Sequence, residues 1–472
     1  MAFASGCATH ANVPGPKEAG LPDTPDAWAV DLEKAAPASD WIDQFGSEQL
    51  TALIGESLGE NFDLAAAAAR VEASNASARA AFGRSLPSVN ATGSGGTSRT
   101  VFEVAGAPQS TDAAVYDWGL SASWEADLWG RVSNTVNAAR ADLLASEADF
   151  AAARLSIAAS TATAWISLSN AIAQRDLSED ERVARQRSLA LTERRFSSGL
   201  STALDVRLAR SAEATARSNI ASSEQAVDDA SRALETLLGR YPSAQIDAPE
   251  TLPELPPIQT GGEPADLLAR RPDIAAAEAR LAASGLRADI ARASLRPSLS
   301  FSANIGVSDD DYENLFDADY IAGRLLANLA APIFNGGALK ADAESAEAQA
   351  RVNAATYAQT VLNAWREVEE ARSADLSFAL QELALEDALV EAQAAEALAE
   401  RQYQRGLISI FDLIDAQTRR ISAERQLTTV NASRAINRVE YHLALGGGGA
   451  AALVPNTAPT SPEDKSQESL QP

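Results

Sequence analysis

Glycine and proline interrupt helices more strongly than any other residues, and this chain runs far without either. Residues 131–198 and 338–405 contain neither over 68 residues each, and residues 200–238 and 407–445 contain neither over 39 each. These stretches are rich in Ala, Leu, Glu, Arg and Gln, which lose little side-chain freedom in a helix. At about 1.5 Å per residue they predict helices of about 100 Å and about 58 Å. The norm in globular domains is about 11–12 residues, so the long elements cannot fold into an ordinary globular core.

The bounding glycines recur. Gly130, Gly199 and Gly239 return 207 residues later as Gly337, Gly406 and Gly446. Asp63–Ser74 matches Asp273–Ser284 at eight of twelve positions with an offset of 210, and Pro87 and Pro297 keep that offset. The chain is a duplication of about 200 residues, each half carrying the same elements. Reversals at Gly199 and Gly406 join each long helix to a shorter one. A third helix per half, near 47–83 and 264–294, has the length to stack on the shorter one and cover the rest of the long one. The expected organisation is a lipoprotein-like segment and linker (1–39), a first repeat (40–239), a proline-rich linker (240–263), a second repeat (264–448) and a disordered tail (449–472). Helical pattern alone does not reject a plain coiled-coil rod.

The strands argue against a rod. From Tyr116 to Leu128 the even positions are Tyr, Trp, Leu, Ala, Trp, Ala and Leu, and the odd ones Asp, Gly, Ser, Ser, Glu and Asp. After Pro297, Leu299, Phe301, Ala303 and Ile305 alternate with Ser298, Ser300, Ser302 and Asn304. Such alternation marks strands with one apolar face. A strand of this length spans about 43 Å, or roughly 30 Å when tilted, the thickness of a bilayer's hydrocarbon core. Tyr116, Trp118, Trp124 and Phe301 are the expected membrane-facing aromatics. Each half offers two strands, near 87–101 and 115–128, then 297–307 and 320–333, separated by polar loops; the second loop is acidic, with Asp309, Asp310, Asp311, Glu313, Asp317 and Asp319.

Four strands cannot close a barrel, and an open edge in lipid leaves backbone groups unsatisfied at several kcal/mol each. The chain is therefore expected to oligomerise; a dimer reaches the roughly eight strands of the smallest bacterial barrels and a trimer reaches about twelve. The fold class expected is an α+β membrane protein, mostly long α-helices, with four strands per chain contributing to a transmembrane β-barrel.

Composition removes other classes. With 65 acidic against 39 basic residues the formal charge is −26, which argues against a nucleic-acid partner. One cysteine and two histidines leave no disulfide framework, and little from which to build a His-based metal site or triad. No enzyme activity and no cofactor are expected. Ala4-Ser5-Gly6-Cys7 has the small-small-Cys form of a lipoprotein processing site, although only six residues precede the cysteine; Cys7 is the expected lipidation site.

Several motifs together resemble the TolC-like outer-membrane factors of efflux pumps, in the lipoprotein branch with OprM-like and NodT-like members. They are Asp40-Trp41-Ile42-Asp43-Gln44-Phe45-Gly46, Ser123-Trp124-Glu125-Ala126-Asp127-Leu128-Trp129-Gly130-Arg131, Leu268-Ala269-Arg270-Arg271-Pro272-Asp273-Ile274, Pro332-Ile333-Phe334-Asn335-Gly336-Gly337 and Ala444-Leu445-Gly446-Gly447-Gly448. The resemblance implies a homotrimer with a 12-stranded barrel in the outer membrane and a periplasmic α-barrel. It implies a passive exit duct for drugs or other small molecules, with a periplasmic adaptor protein and an inner-membrane transporter of the RND type as partners, and outer-membrane lipid around the barrel. A type I secretion duct and a periplasmic structural protein are the alternatives.

The hairpin tips, Arg194–Leu200 and Arg401–Leu407, carry most of the expected mechanism. Gly199 and Gly406 supply the positive φ of a helix reversal. The resemblance adds Gly199, Leu200, Gly406 and Leu407 as adaptor-docking positions. Asp412 and Asp415 lie three residues apart on one helix face and are expected to ring the tunnel end as a selectivity element. Their bland reading is as acids at a helix N-terminus, which also suits Asp205. The resemblance places Asp205 close to Tyr403 of a neighbouring hairpin as a brake on opening, with Ile408 where some members have a cation.

Overall fold

The computed structural model describes residues 23–30, 41–42, 45–249, 252, 255, 258 and 262–447. Cys7 and the tail 449–472 lie outside the described residues. The elements are α1 (Glu48–Glu60), α2 (Phe62–Ser85), β1 (Ser88–Val104), β2 (Ala107–Ala126), α3 (Arg131–Ser197), α4 (Ala203–Leu237), α5 (Leu267–Arg270), α6 (Pro272–Ala293), β3 (Ser298–Asp309), β4 (Ala322–Ala330), α7 (Ala338–Gln404) and α8 (Ile410–Ala444). The same helix, strand, strand, helix order occurs twice. The chain divides into two compact units, and each takes matching segments from both repeats: Ala69–Ala148 with Asp273–Thr360, and Asp23–Ala68 with Asp149–Pro272 and the chain from Val361 onward.

The first unit holds an antiparallel sheet in the order β1-β2-β3-β4, so β1 and β4 are its edges. Two of the expected strand boundaries need correction. No polar loop separates β1 from β2: pairing continues to Val104 opposite Ala107. A two-residue turn closes it, with Ala105 at φ 48° and Gly106 at φ 82°, the positive pair that matches strand twist. The apolar residues there, Val101, Phe102 and Val104, are exposed and fall on both faces, so backbone pairing persists where the apolar alternation has stopped. β4 begins at Ala322, because the acidic loop before it is wound into two 3₁₀ turns, where Asp311 accepts from Glu313 N at 3.0 Å and Asp317 from Asp319 N at 3.0 Å.

The third helix of each half is broken, which glycine and proline spacing did not reveal in the first half. Asn61 stops α1 and caps α2: its side-chain oxygen accepts from Asp63 N at 2.9 Å and Leu64 N at 3.1 Å, as N-cap asparagines do. Its amide donates to the Leu237 carbonyl at 2.9 Å, at the end of α4. In the second half Arg271 makes the break ahead of Pro272, and its guanidinium donates to the Ala444 carbonyl at 2.9 Å, at the end of α8. A glycine seals each joint: a Cβ on Gly239 would sit 2.6 Å from the Glu60 carbonyl, and one on Gly446 would sit 3.0 Å from that of Arg270.

The second unit has a large core cluster around Trp41, Phe45, Leu50, Ile54, Trp165, Ile166, Leu234, Leu238 and Val439, and a smaller one around Ala209, Ala399, Tyr403, Ile410 and Leu413. Trp41 stacks on His442 with ring centroids 5.9 Å apart. Burial, reinforced by the Arg438 charge, lowers the His442 imidazole to about 4.

Three outcomes follow. Gly239→Ala, held at φ 70° against a carbonyl, should destabilise the helical unit by about 1–3 kcal/mol. Gly59→Ala, whose added Cβ meets nothing within 4 Å, should leave the thermal midpoint of helical circular dichroism unchanged or raised. For His442, the unfolded chain takes up its proton near pH 6.5 while the folded one holds off to about 4. Stability is thus complete above pH 6.5 and is lost as pH falls toward 4, by on the order of 3 kcal/mol. His442→Phe keeps a ring against Trp41 and should flatten that slope; an unaltered slope would assign the acid sensitivity elsewhere.

Candidate functional site

Strand register sorts the sheet into two chemically opposite faces. Tyr116, Trp118, Leu120, Ala122 and Trp124 of β2 align with Val89, Ala91, Gly93 and Gly95 of β1, with Phe301, Ala303, Ile305 and Val307 of β3, and through these with Leu325 and Ala327 of β4. The intervening positions are mostly Ser, Asn and Thr. The four expected aromatics share the apolar face in two tiers. Trp124 lies opposite Phe301 and stacks on it at 6.0 Å, while Tyr116 meets Tyr312 edge-on at 6.3 Å and the Trp118 indole donates to the Leu315 carbonyl. The tiers are about 27 Å apart along the strand, or roughly 20 Å once tilted, within the ~25 Å apolar band of outer-membrane barrels. Past Tyr116 the face turns polar at Arg99 and Asp112, which approach to 3.6 Å.

Residues 124–131 form the strand-to-helix joint, and each polar member has a partner. Arg131 donates to Glu125 at 3.0 Å. Asp127 accepts from Val132 N at 3.0 Å and Ser133 N at 2.8 Å, filling two of the free donors at the start of α3. The Trp129 indole donates to the Pro297 carbonyl at 2.6 Å, at the start of β3, and Arg296 lies over its ring.

The two hairpin tips are built alike. α3 ends with Gly199 at φ 71°, Leu200 N donating to Arg195 O at 2.8 Å and Gly199 N to Phe196 O at 3.0 Å. α7 ends with Gly406 at φ 75°, Leu407 N donating to Gln402 O at 3.0 Å and Gly406 N to Tyr403 O at 3.0 Å. This is the Schellman closure. The residue after its glycine normally packs back onto the helix, but here it would have to pack on Arg195 or Gln402. Leu200 and Leu407 therefore stay 66% and 69% exposed, beside exposed Leu204 and Phe411.

The next helices open with capping boxes, Thr202 with Asp205 and Ser409 with Asp412. The Thr202 backbone N–H and the Ser201 hydroxyl hold the Asp205 carboxyl below its ordinary range, and the Ser409 hydroxyl and backbone N–H do the same for Asp412. Both acids are committed to helix ends, as their bland reading has it. Asp415 is outside the box and accepts from Arg419 at 2.8 Å, an exposed pair one turn along α8. Tyr403 is 2% exposed. Its hydroxyl lies 2.8 Å from Thr192 Oγ1, so within one chain Asp205 and Tyr403 are not brought together.

Sequence reading missed the residues that join the hairpins. The Arg195 guanidinium lies 5.0 Å from the Tyr403 ring centroid and donates to Tyr403 O at 2.9 Å and Leu200 O at 3.2 Å, so one cation serves the carbonyl ends of both long helices. Buried Arg185 reaches Ile414 O at 3.0 Å, Gln417 Oε1 at 2.9 Å and Thr418 Oγ1 at 2.8 Å on α8. Repeat asymmetry was the available signal: 207 residues on, Arg195 becomes Gln402 and Arg185 becomes Ala392. No helix among the described residues is long and apolar enough to cross a membrane.

Known proteins share this plan. The chain is 30% identical over 413 residues, 86% of this chain and 88% of the relative, to the cation efflux system protein CusC of Escherichia coli. It is 33% identical over 420 residues, 88% of this chain and 86% of the relative, to the probable efflux pump outer membrane protein TtgC of Pseudomonas putida. The solved structure of the outer-membrane channel OprN superposes with a TM-score of 0.82 at 28% identity, covering 92% of this chain and all of that one. A family model described as outer membrane efflux protein matches residues 53–240 and 264–447, one stretch per repeat. With both repeats matched and the sheet, joints and tips in place, this chain belongs to the outer membrane efflux protein family.

Proposed function

We propose that this outer-membrane efflux channel works as a homotrimer, in which β4 of each copy pairs with β1 of the next to give a barrel of about twelve strands. The observation that carries the reading is a sheet with one apolar and one polar face and, among the described residues, two edges without partners. The apolar face meets lipid and the polar face lines the lumen. The long helices extend the duct into the periplasm. There a periplasmic adaptor docks on the apolar tip surface of Leu200 and Leu407, with the glycines Gly199 and Gly406 keeping the reversal tight. An inner-membrane transporter of the RND type supplies the energy. Cys7 carries the lipid anchor.

Since Asp205 is used in a capping box and Tyr403 is held by Thr192 and Arg195, the brake acts first within a chain, by fixing the two hairpins to each other. Asp412 and Asp415 make the tip cation-selective, although Arg419 offsets part of the charge of Asp415.

In detergent the particle should have three times the 49.4 kDa chain mass; a monomer by native mass spectrometry, where control trimers survive, would refute the trimer. In planar bilayers Asp412→Asn with Asp415→Asn should lower cation preference and block by added divalent cations, the amides preserving much of the cap. Tyr403→Phe should raise open probability with selectivity unchanged. Identical selectivity and block in the double variant would move the ring elsewhere. The intact mass of the mature protein, with or without acyl chains on Cys7, tests the anchor.

A further inference from the structure

Charge is scarce on the polar face of the sheet. Between the levels of Glu125 and Asp117 on β2, the ionisable residues of that face are those two acids and Arg324 on β4. Both acids are partnered. Glu125 accepts from Arg131 at 3.0 Å, and Asp117 accepts from the Ser94 hydroxyl at 2.9 Å. Arg324 is exposed and has no hydrogen bond or ion pair among the described residues. Its height is set by register: Arg324 lies opposite Asn304, and Asn304 opposite Ser121. Ser121 is four residues from Glu125 and four from Asp117, so Arg324 sits midway, about 13 Å along the strands from either level. At ~0.1 M salt that exceeds the Debye length of about 10 Å.

Closing the barrel does not neutralise it through the adjoining strand. β4 is an edge, and its neighbour would be β1 of the next copy, whose positions on that face run Ser88, Asn90, Thr92, Ser94, Gly96, Ser98, Thr100, Phe102 and Val104. All are uncharged, so no register on that strand sets an acid beside the guanidinium.

We infer that Arg324 is the charge-selecting residue of the barrel lumen. Three copies form a positive ring at mid-membrane that favours anions and the anionic groups of exported solutes, in a duct whose chain is otherwise strongly acidic. This rests on the trimeric-barrel reading. The ring works through its field across a wet lumen, so its influence grows at low salt, where the Debye length reaches about 30 Å at 0.01 M, and fades near 1 M, where it is about 3 Å. An arginine keeps its charge at every working pH, so the preference is independent of pH, unlike one set by the tip carboxylates. The competing role for Arg324 is protection of an edge strand against aggregation, which any charge would serve.

The test is the reversal potential of the assembled channel under a KCl gradient, on the wild-type tip and on the Asp412→Asn, Asp415→Asn background so that the acidic end in series does not mask the barrel. At 10–30 mM salt Arg324→Gln should shift the potential toward cation preference, Arg324→Glu should shift it further and Arg324→Lys should hold it. All should converge at 1 M, with no dependence on pH between 5 and 9. Unchanged potentials at low salt in Arg324→Gln and Arg324→Glu would overturn the inference, as would an equal shift in Arg324→Lys. Arg324→Cys and Leu325→Cys, each on Cys7→Ser, separate this from failure of the barrel itself. A membrane-impermeant charged thiol reagent should change the current through the former and not the latter. Labelling at 325 instead of 324 would reverse the faces and remove the barrel reading with the inference. Labelling at 324 with a silent Arg324→Glu would remove the inference alone.

Discussion

A sheet of four strands has two edges, and hydrocarbon supplies no water to satisfy the backbone groups along them. The remainder of this protein can be understood from that constraint. The same alternation that makes one face apolar makes the other polar, so a closed assembly of such sheets is a lined pore as a matter of register. Trp124 and Phe301 at one level, and Tyr116 and Trp118 at the other, mark where the apolar face begins and ends. Beyond the upper level Arg99 and Asp112 appear on that face, charges tolerated only where lipid has given way to water.

Joining such a sheet to helices of 67 residues requires that the junctions hold direction. The motif around Trp124–Arg131 does this with local bonds: a carboxylate on the first amides of α3, an ion pair across the bend and an indole reaching the adjacent strand. The helix breaks at Asn61 and Arg271 use a different device, in which a polar side chain of one helix takes a carbonyl at the end of another. Both halves of the duplication kept the joint while changing its chemistry, an amide in one and a guanidinium in the other.

At the tips, the closures satisfy backbone groups and leave Leu200 and Leu407 unpacked. That exposed apolar surface comes from placing polar residues where the closure usually finds an apolar partner. The acids there stabilise helix ends first, and whatever field they present to a passing ion comes from groups already engaged with the backbone.

Sequence by itself determined the kind and order of the elements and the length of the four hairpin helices, because these depend on local chemistry: glycines that supply positive φ, proline boundaries, and periods of two against 3.6. It also determined the duplication, the apolar face with its aromatics, and the place of Asp205 and Asp412 at helix N-termini. Tertiary structure alone decided what depends on partners distant in the chain. The break at Asn61 has no proline to announce it and is met by the Leu237 carbonyl, while the break at Arg271, set locally by Pro272, is met by the Ala444 carbonyl. Within the chain Tyr403 reaches Thr192, and Arg195 ties the hairpins, through contacts 211 and 208 residues apart. The extension of the β1–β2 hairpin escaped notice for a related reason. Backbone pairing needs no side-chain pattern, so a strand with no face to bury leaves no period to read.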